Sequence, residues 1–182
     1  MFWMPKDPDE LETLRELFDK RTSDRAVAIM GGAYVENLLT RTIKGMMVQN
    51  NDMLTRMFAF SGPLGAFSSK IKISYLIKAV PRVVYKDLIH IKDIRNAFAH
   101  HLDVRDFTSP EIKKLACKLV LPQTHVFQET PGTPRVGSGE VRATCADKNK
   151  MLGDPRTRFL YATALLSQYL SFPCKLGEEP FI

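Results

Sequence analysis

Cysteine and tryptophan are scarce in this 182-residue sequence, which contains three cysteines and one tryptophan. The cysteines are widely spaced and odd in number, so Cys117, Cys145 and Cys174 form neither a disulfide framework nor a zinc signature. A reducing compartment is the simpler interpretation, and we expect a cytoplasmic protein. Cys117 lies among apolar residues, and we expect it to be a small core residue rather than a reactive thiol.

Long apolar runs are also absent. A membrane-spanning helix needs about 20 consecutive apolar residues, and Glu36, Arg41 and Lys44 interrupt the longest candidate. Residues 1–5 lack a signal-peptide pattern. We therefore expect no membrane segment. No metal cluster or cofactor motif is visible either, so no metal and no small-molecule cofactor are expected.

The formal charge of +6 is unevenly distributed along the chain. Residues 66–105 hold eight basic groups and three acidic ones, which gives this segment a charge of +5. Such a field raises the encounter rate with polyanions or acidic proteins, and a solvated basic face without a partner is an equal alternative. The basic groups are Lys70, Lys72, Lys78, Arg82, Lys86, Lys92, Arg95 and Arg105, and the acidic ones are Asp87, Asp93 and Asp103.

Helical periodicity dominates the sequence, and the apolar content of 45% fits one folded domain over residues 1–182. We predict an all-α bundle of about six to seven helices. Ser23, Ser109-Pro110 and Asp154-Pro155 are typical of helix starts. The helices are expected at about 9–20, 23–48, 52–60, 68–79, 85–101, 110–120 and 155–170, with an irregular, proline- and glycine-containing insert at 122–153 before the last one.

Gly31-Gly32 falls inside the second predicted helix. Each glycine costs about 1 kcal/mol relative to alanine in a helix interior. Either a neighbouring helix crosses closely at this point or the helix kinks there. We expect the close crossing.

Residues 91–101 carry the pattern that says most about function, because Arg95, Asn96 and His100 lie on one predicted helix. At 100° per residue, one side of that helix is apolar and should be buried. Asn96 and His100 are neighbours on the exposed side, and Arg95 lies at the boundary. The predicted buried residues are Leu88, Ile91, Ile94, Phe98 and Leu102.

Arginine and histidine together suit a phosphodiester, since one is a permanent cation and the other titrates near neutrality. In a metal-independent ribonuclease, His100 would act as general acid or base and Arg95 would neutralise the developing charge. Their Cβ directions diverge by about 140°, so one helix does not clamp a phosphate easily. A homodimer would solve this, with Arg95 of one subunit and His100 of the other bordering a shared cleft.

The alternative role of these residues is structural. Arg95 would then form an ion pair with Glu36 on the second helix, and His100 would interact with the negative end of its own helix. His101 lies on the flank of the buried face and is expected to be a hydrogen-bonded packing residue. His90 and His125 have no visible partners.

Three sequence blocks resemble the bacterial mannitol operon repressor (MltR-like) family. They are Gly62-Pro63-Leu64-Gly65 through Lys70-Ile71, then Ile94 to His101, and then Asp154-Pro155-Arg156 with Arg158-Phe159-Leu160. This resemblance implies a compact helical regulator that represses transcription without an obvious helix-turn-helix, within a larger complex.

The middle block is also similar to the Arg-x4-His motif of the HEPN superfamily, in which a polar residue such as Asn96 commonly follows the arginine. That resemblance implies an HEPN-like four-helix core and frequent dimers. In active members the pair cleaves RNA without a metal. By analogy, Arg95 would stabilise the phosphorane, His100 would transfer protons and Asn96 would orient them.

Two hypotheses of different classes follow. The leading one is a regulator that acts through protein contacts, with Lys92, Arg95, His100 and His101 as binding residues. The alternative is a ribonuclease that uses Arg95, Asn96 and His100 on RNA. Sequence-specific DNA reading ranks third, because we find neither a recognition helix nor a basic region with heptads.

Overall fold

The structure is a computed structural model that describes residues 8–123 and 152–171. The described residues form helices and connecting loops without a β-strand, which confirms the all-α prediction. The helices are α1 (Pro8–Phe18), α2 (Asp24–Gly45), α3 (Asn51–Phe58), α4 (Phe67–Leu76), α5 (Arg82–His100), α6 (Pro110–Ala116) and α7 (Pro155–Ser171). Most of the predicted insert at 122–153 lies outside the described residues, as do His125, Cys145 and Cys174.

Helix α2 lies at the centre and packs against α1, α4, α5 and α7. The described helices bury one continuous apolar core. Three aromatic rings join α5, the loop after it and α7. The ring centroids of Phe98 and Phe107 are 5.1 Å apart, and those of Phe107 and Phe159 are 5.2 Å apart. These rings fix the end of α5 against the last helix.

Two of the three predicted helix starts are capped by side-chain hydrogen bonds, whereas Ser109 precedes α6 without such a bond. The Ser23 hydroxyl accepts a hydrogen bond from the Ala26 N–H, and an Asp154 carboxylate oxygen accepts one from the Thr157 N–H at 2.9 Å. Both contacts satisfy N–H groups that a helix start leaves without intrahelical partners. Helix α5 starts at Arg82, three residues before the expected position, directly after Pro81.

The close crossing at Gly31-Gly32 is confirmed. A Cβ on Gly31 would lie 2.8 Å from Cε1 of the Phe159 ring, and one on Gly32 would lie 2.7 Å from Cγ of Arg95. Helices α7 and α5 therefore approach α2 at adjacent residues. The glycines allow both approaches and offset their low helix propensity through packing.

Helix α6 ends at Ala116 and not near Val120, because a buried carboxylate binds the following chain. Asp87 on α5 accepts hydrogen bonds from the N–H groups of Val120 at 2.9 Å and Leu121 at 2.8 Å. Burial raises the pKa of Asp87, and the two backbone hydrogen bonds oppose that change. Cys117 is exposed beyond the end of α6, so the prediction of a core cysteine was wrong.

Candidate functional site

Helix α5 buries most of the face that its sequence predicted. Leu88, Ile91, Ile94 and Phe98 have no exposed surface, whereas Asn96 is half-buried and His100 is exposed. Leu102 was predicted to join the buried face, and this was wrong, because 89% of its surface is exposed. The helix ends at His100, so its periodicity no longer determines where Leu102 points.

Arg95 is held against α2. Its Nη2 lies 3.7 Å from Oε2 of Glu36, and the Nζ of Lys70 on α4 lies 2.8 Å from Oε1 of the same carboxylate. Gly32 leaves room for the Arg95 stem. The ion pair with Glu36 is the one that the structural alternative predicted. The Arg95 side chain remains 32% exposed.

Lys92 is also engaged. Its Nζ lies 2.9 Å from Oδ1 of Asp93, the next residue on the helix. Both side chains are partly exposed, and ion pairs at the surface contribute little to stability, typically about 0–1 kcal/mol. The contact still places the negative charge of Asp93 beside Lys92, and this charge weakens the attraction of Lys92 for an anionic ligand.

Arg25 fixes the chain at the end of α5. Its guanidinium donates hydrogen bonds to the carbonyl oxygens of Phe98, of Val104 at 2.8 Å and of His101 at 3.2 Å. The last carbonyls of a helix have no intrahelical partners, and a cation favours this negative end. The N–H of Phe107 donates to Asp24 at 2.8 Å, which holds the same loop from α2.

This anchored turn presents three consecutive side chains to solvent, namely His100, His101 and Leu102. His101 was expected to pack inside, and this was wrong, because its position after the end of α5 is exposed. We call Asn96, His100, His101 and Leu102 the α5 edge. The edge combines an apolar side chain with polar groups that donate and accept hydrogen bonds.

The sequence placed Asn96 and His100 away from the buried face of α5, as the structure does, but it predicted neither the contacts of Arg25 nor the exposure of Leu102. Arg25 lies 73 to 79 residues before the carbonyls that it binds. No local pattern marks such a contact. The exposure of Leu102 had a weak signal in the polar residues that surround it, which are typical of a helix end.

The residues that carry the family resemblance are mainly structural. Arg156 pairs with Asp24 and also donates to the Thr22 carbonyl at 2.8 Å, and Arg158 donates to the Leu119 carbonyl at 2.6 Å. A Cβ at Gly62 or Gly65 would overlap backbone oxygens of residues 56–60. These contacts hold the bundle together and leave its surface open to other roles.

A shallow groove of about 270 Å³ lies between the C-terminal ends of α2 and α7. Its lining is Leu38, Arg41, Thr42, Gly45, Met46, Leu170 and Ser171. Arg25 lies near the other end of α2, and a helix of this length spans about 30 Å. The groove is therefore separate from the α5 edge.

No helix in the described part of the chain is both long and apolar enough to cross a bilayer. No family model matches the sequence, and no curated protein matches it.

Solved structures do share the fold. A chain in the X-ray structure of the MtlR–HPr complex from Escherichia coli aligns over 90% of this chain and 98% of its own length, with a TM-score of 0.62 and 17% identity. A possible transcriptional regulator, YggD from Shigella flexneri, aligns over 88% of this chain and 98% of its own, with a TM-score of 0.61 and 13% identity. The likeness establishes a fold that is shared with regulator-type proteins.

Proposed function

We propose that this chain is a cytoplasmic regulator of the mannitol operon repressor type, which acts in transcriptional repression through contacts with other proteins. It reads no DNA sequence by itself. The observation that carries the proposal is the exposed Leu102 at the anchored end of α5. The fold shared over most of the chain with MtlR and YggD supports the regulator class by analogy.

The α5 edge has the composition of a small protein-contact site. A few residues carry most of the energy of an interface, and an apolar centre with a polar rim is their usual arrangement. Leu102 would supply the centre, and His100, His101 and Asn96 the rim. Because Arg25 fixes the backbone beneath them, little conformational freedom remains to be lost on binding.

We propose a protein of the HPr type as the partner. HPr is the protein bound to MtlR in the Escherichia coli complex. In our proposal, Leu102 contacts an apolar patch of that partner, and Lys92 and Arg95 lie next to the contact as positive groups. Arg95 keeps its ion pair with Glu36, so in this proposal it contributes a positive charge and a contact surface, and it has no catalytic role.

Calorimetric titration with purified HPr tests this proposal. Leu102→Ala should weaken binding by about tenfold or more, which corresponds to about 1.4 kcal/mol. Leu76→Ala is the matched control, because Leu76 is also strongly exposed, at 74%. Leu76 precedes the start of α5 and Leu102 follows its end, and the helix between them is about 28 Å long. Absence of HPr binding, or equal weakening by both substitutions, would contradict the proposal.

The alternative remains a metal-independent ribonuclease built on Arg95, Asn96 and His100. Within one chain, Arg95 faces Glu36 while His100 lies at the helix end, so the reaction needs a homodimer that combines both groups. Labelled RNA incubated in chelator with wild-type protein and His100→Ala decides this question. Equal products from both proteins, or a sedimentation mass of 20.7 kDa for the single chain, would remove the alternative.

A further inference from the structure

A second surface, formed by α5, α6 and the residues just after α6, carries cations that form no ion pair with any other described residue. Arg82, Lys86, Lys114 and Lys118 are all exposed. None of the ion pairs between described residues involves these four side chains. We call this group the α5–α6 lysine face.

The four cations lie on neighbouring elements that are fixed to each other. Asp87 on α5 binds the N–H groups of Val120 and Leu121, and Arg158 binds the Leu119 carbonyl. These contacts hold the end of α6 against the N-terminal half of α5. Arg82 and Lys86 are four residues apart on α5 and are therefore separated by about one turn. Lys114 lies on α6, and Lys118 follows two residues after the end of that helix.

One cation of each pair, Lys86 and Lys118, lies close enough to His90 for its charge to act on the imidazole. Burial and then the positive charge of Lys118 lower the pKa of His90; Lys86 acts in the same direction, and Asp93 opposes it. Lys86 on α5 and Lys118, just after α6, therefore lie near the same imidazole. Asp93, the nearby acidic group, is already engaged by Lys92 at 2.9 Å. Glu111 lies three residues before Lys114 on α6, so one acidic side chain adjoins the face at that side.

The face lacks the apolar residues that anchor protein partners. The large exposed hydrophobic side chains of the described residues are Phe18, Ile29, Met46, Val48, Met53, Phe60, Tyr75, Leu76 and Leu102, and none lies on α5 or α6. A protein interface normally needs such anchors at its centre. A phosphate backbone does not, because its binding energy comes largely from charge neutralisation and counterion release.

We propose that the α5–α6 lysine face binds the phosphodiester backbone of duplex DNA without reading its sequence. This inference rests on the proposed function in one respect, since a regulator of transcription meets duplex DNA. Phosphate contacts set the position of a protein on DNA and carry no sequence information. Single strands fit the face less well, because neither the Tyr85 nor the Phe98 ring of α5 is free for bases: Tyr85 is stacked on Tyr75, and Phe98 is buried.

The α5–α6 lysine face is separate from the α5 edge. Lys86 and Leu102 are 16 positions apart along the chain, and at 1.5 Å per residue the helix between them separates the two surfaces by more than about 20 Å. One molecule can therefore contact DNA at one surface and a protein partner at the other. Substitutions at one surface should therefore leave binding at the other surface unchanged.

Fluorescence anisotropy with a labelled mixed-sequence duplex of about 30 base pairs tests the proposal at NaCl concentrations from about 50 to 200 mM. The test variant is Lys86→Gln with Lys118→Gln. Its slope of log affinity against log salt should be shallower by about two, and its affinity at low salt weaker by about tenfold or more. The matched control is Arg15→Gln with Lys20→Gln, which removes the same two charges from exposed positions on or just after α1.

The control should bind within about twofold of wild type, since long-range charge alone contributes little beyond a Debye length. Equal weakening by both variants would show that net charge is responsible and would overturn the proposal. Absence of duplex binding at low salt would do the same, as would tighter binding of double-stranded RNA or of polyglutamate at equal salt. Titration with HPr in parallel separates this outcome from failure of the α5 edge.

Cys117 provides a second measurement on the same face, because it is exposed beside Lys118. In a variant with Cys145→Ser and Cys174→Ser, Cys117 is the remaining cysteine. Saturating duplex should slow its alkylation by a maleimide about tenfold, since phosphate binding covers the neighbouring lysine. An unchanged rate with duplex bound would locate the DNA elsewhere and overturn the proposal.

Discussion

At the residue scale, the histidines of α5 differ more in environment than in sequence context. His90 and His100 lie on the same helix, yet the Nδ1 of His90 is buried without a hydrogen-bond partner in the described structure, while His100 is exposed at the helix end. The sequence assigned a role to His100 from the motif and none to His90. Burial is the main cause that lowers the pKa of His90, and it could not be predicted from the sequence.

His90 makes the stability of the fold depend on pH. Its pKa in the folded state is lowered from 6.5 by burial and by Lys118, so the unfolded chain takes up its proton first as the pH falls. Neutral His90 therefore costs the fold nothing above about pH 6.5, and the fold loses stability as the pH falls below this value. Urea unfolding at pH 7.5 and pH 5.5 should therefore show a smaller loss of stability for His90→Gln than for wild type. An equal loss in both proteins would contradict this explanation.

At the element scale, most helices could be predicted from the sequence because capping residues and apolar spacing act locally. Ser23 and Asp154 mark helix starts through contacts three residues away. The end of α6 could not be predicted in this way. It depends on Asp87, which lies 33 residues before Val120 and draws the chain out of the helix.

The candidate site likewise has features that local sequence patterns predict and features that depend on tertiary contacts. The positions of Arg95, Asn96 and His100 on one helix followed from periodicity, and the Glu36 ion pair was one of two predicted roles for Arg95. The exposure of Leu102 depends on the end of α5. Arg25 fixes that end from another helix, so the contact is tertiary and has no sequence pattern of its own.

Arg25 should therefore determine both stability and function at the end of α5. Arg25→Ala leaves buried or half-buried carbonyls of Phe98 and Val104 without their donor, and we expect a loss of about 2 kcal/mol in the free energy of unfolding. HPr binding should fall with it, although Arg25 lies outside the α5 edge. Arg21→Ala is the control, because Arg21 forms an exposed pair with Asp19. Urea unfolding and titration of both variants check the prediction.

At the scale of the whole molecule, the bundle separates structural cations from available ones. Lys70, Arg156 and Arg158 bind groups of the protein itself, and these residues belong to the blocks that resemble the mannitol operon repressor family. Four exposed cations lie together on the α5–α6 lysine face, whereas Leu102, an exposed apolar side chain, lies at the α5 edge. Distinct surfaces for DNA and for protein suit a regulator that joins the two.

Site-specific photocrosslinking tests the central claim most directly. A photoreactive phenylalanine analogue at position 102 should give a covalent adduct with purified HPr, because the α5 edge is expected to bury that side chain against the partner. The same analogue at position 76, another exposed leucine, should give none. Adduct from position 102 alone is the predicted result, and adduct from position 76 alone, from both positions equally, or from neither would contradict the account.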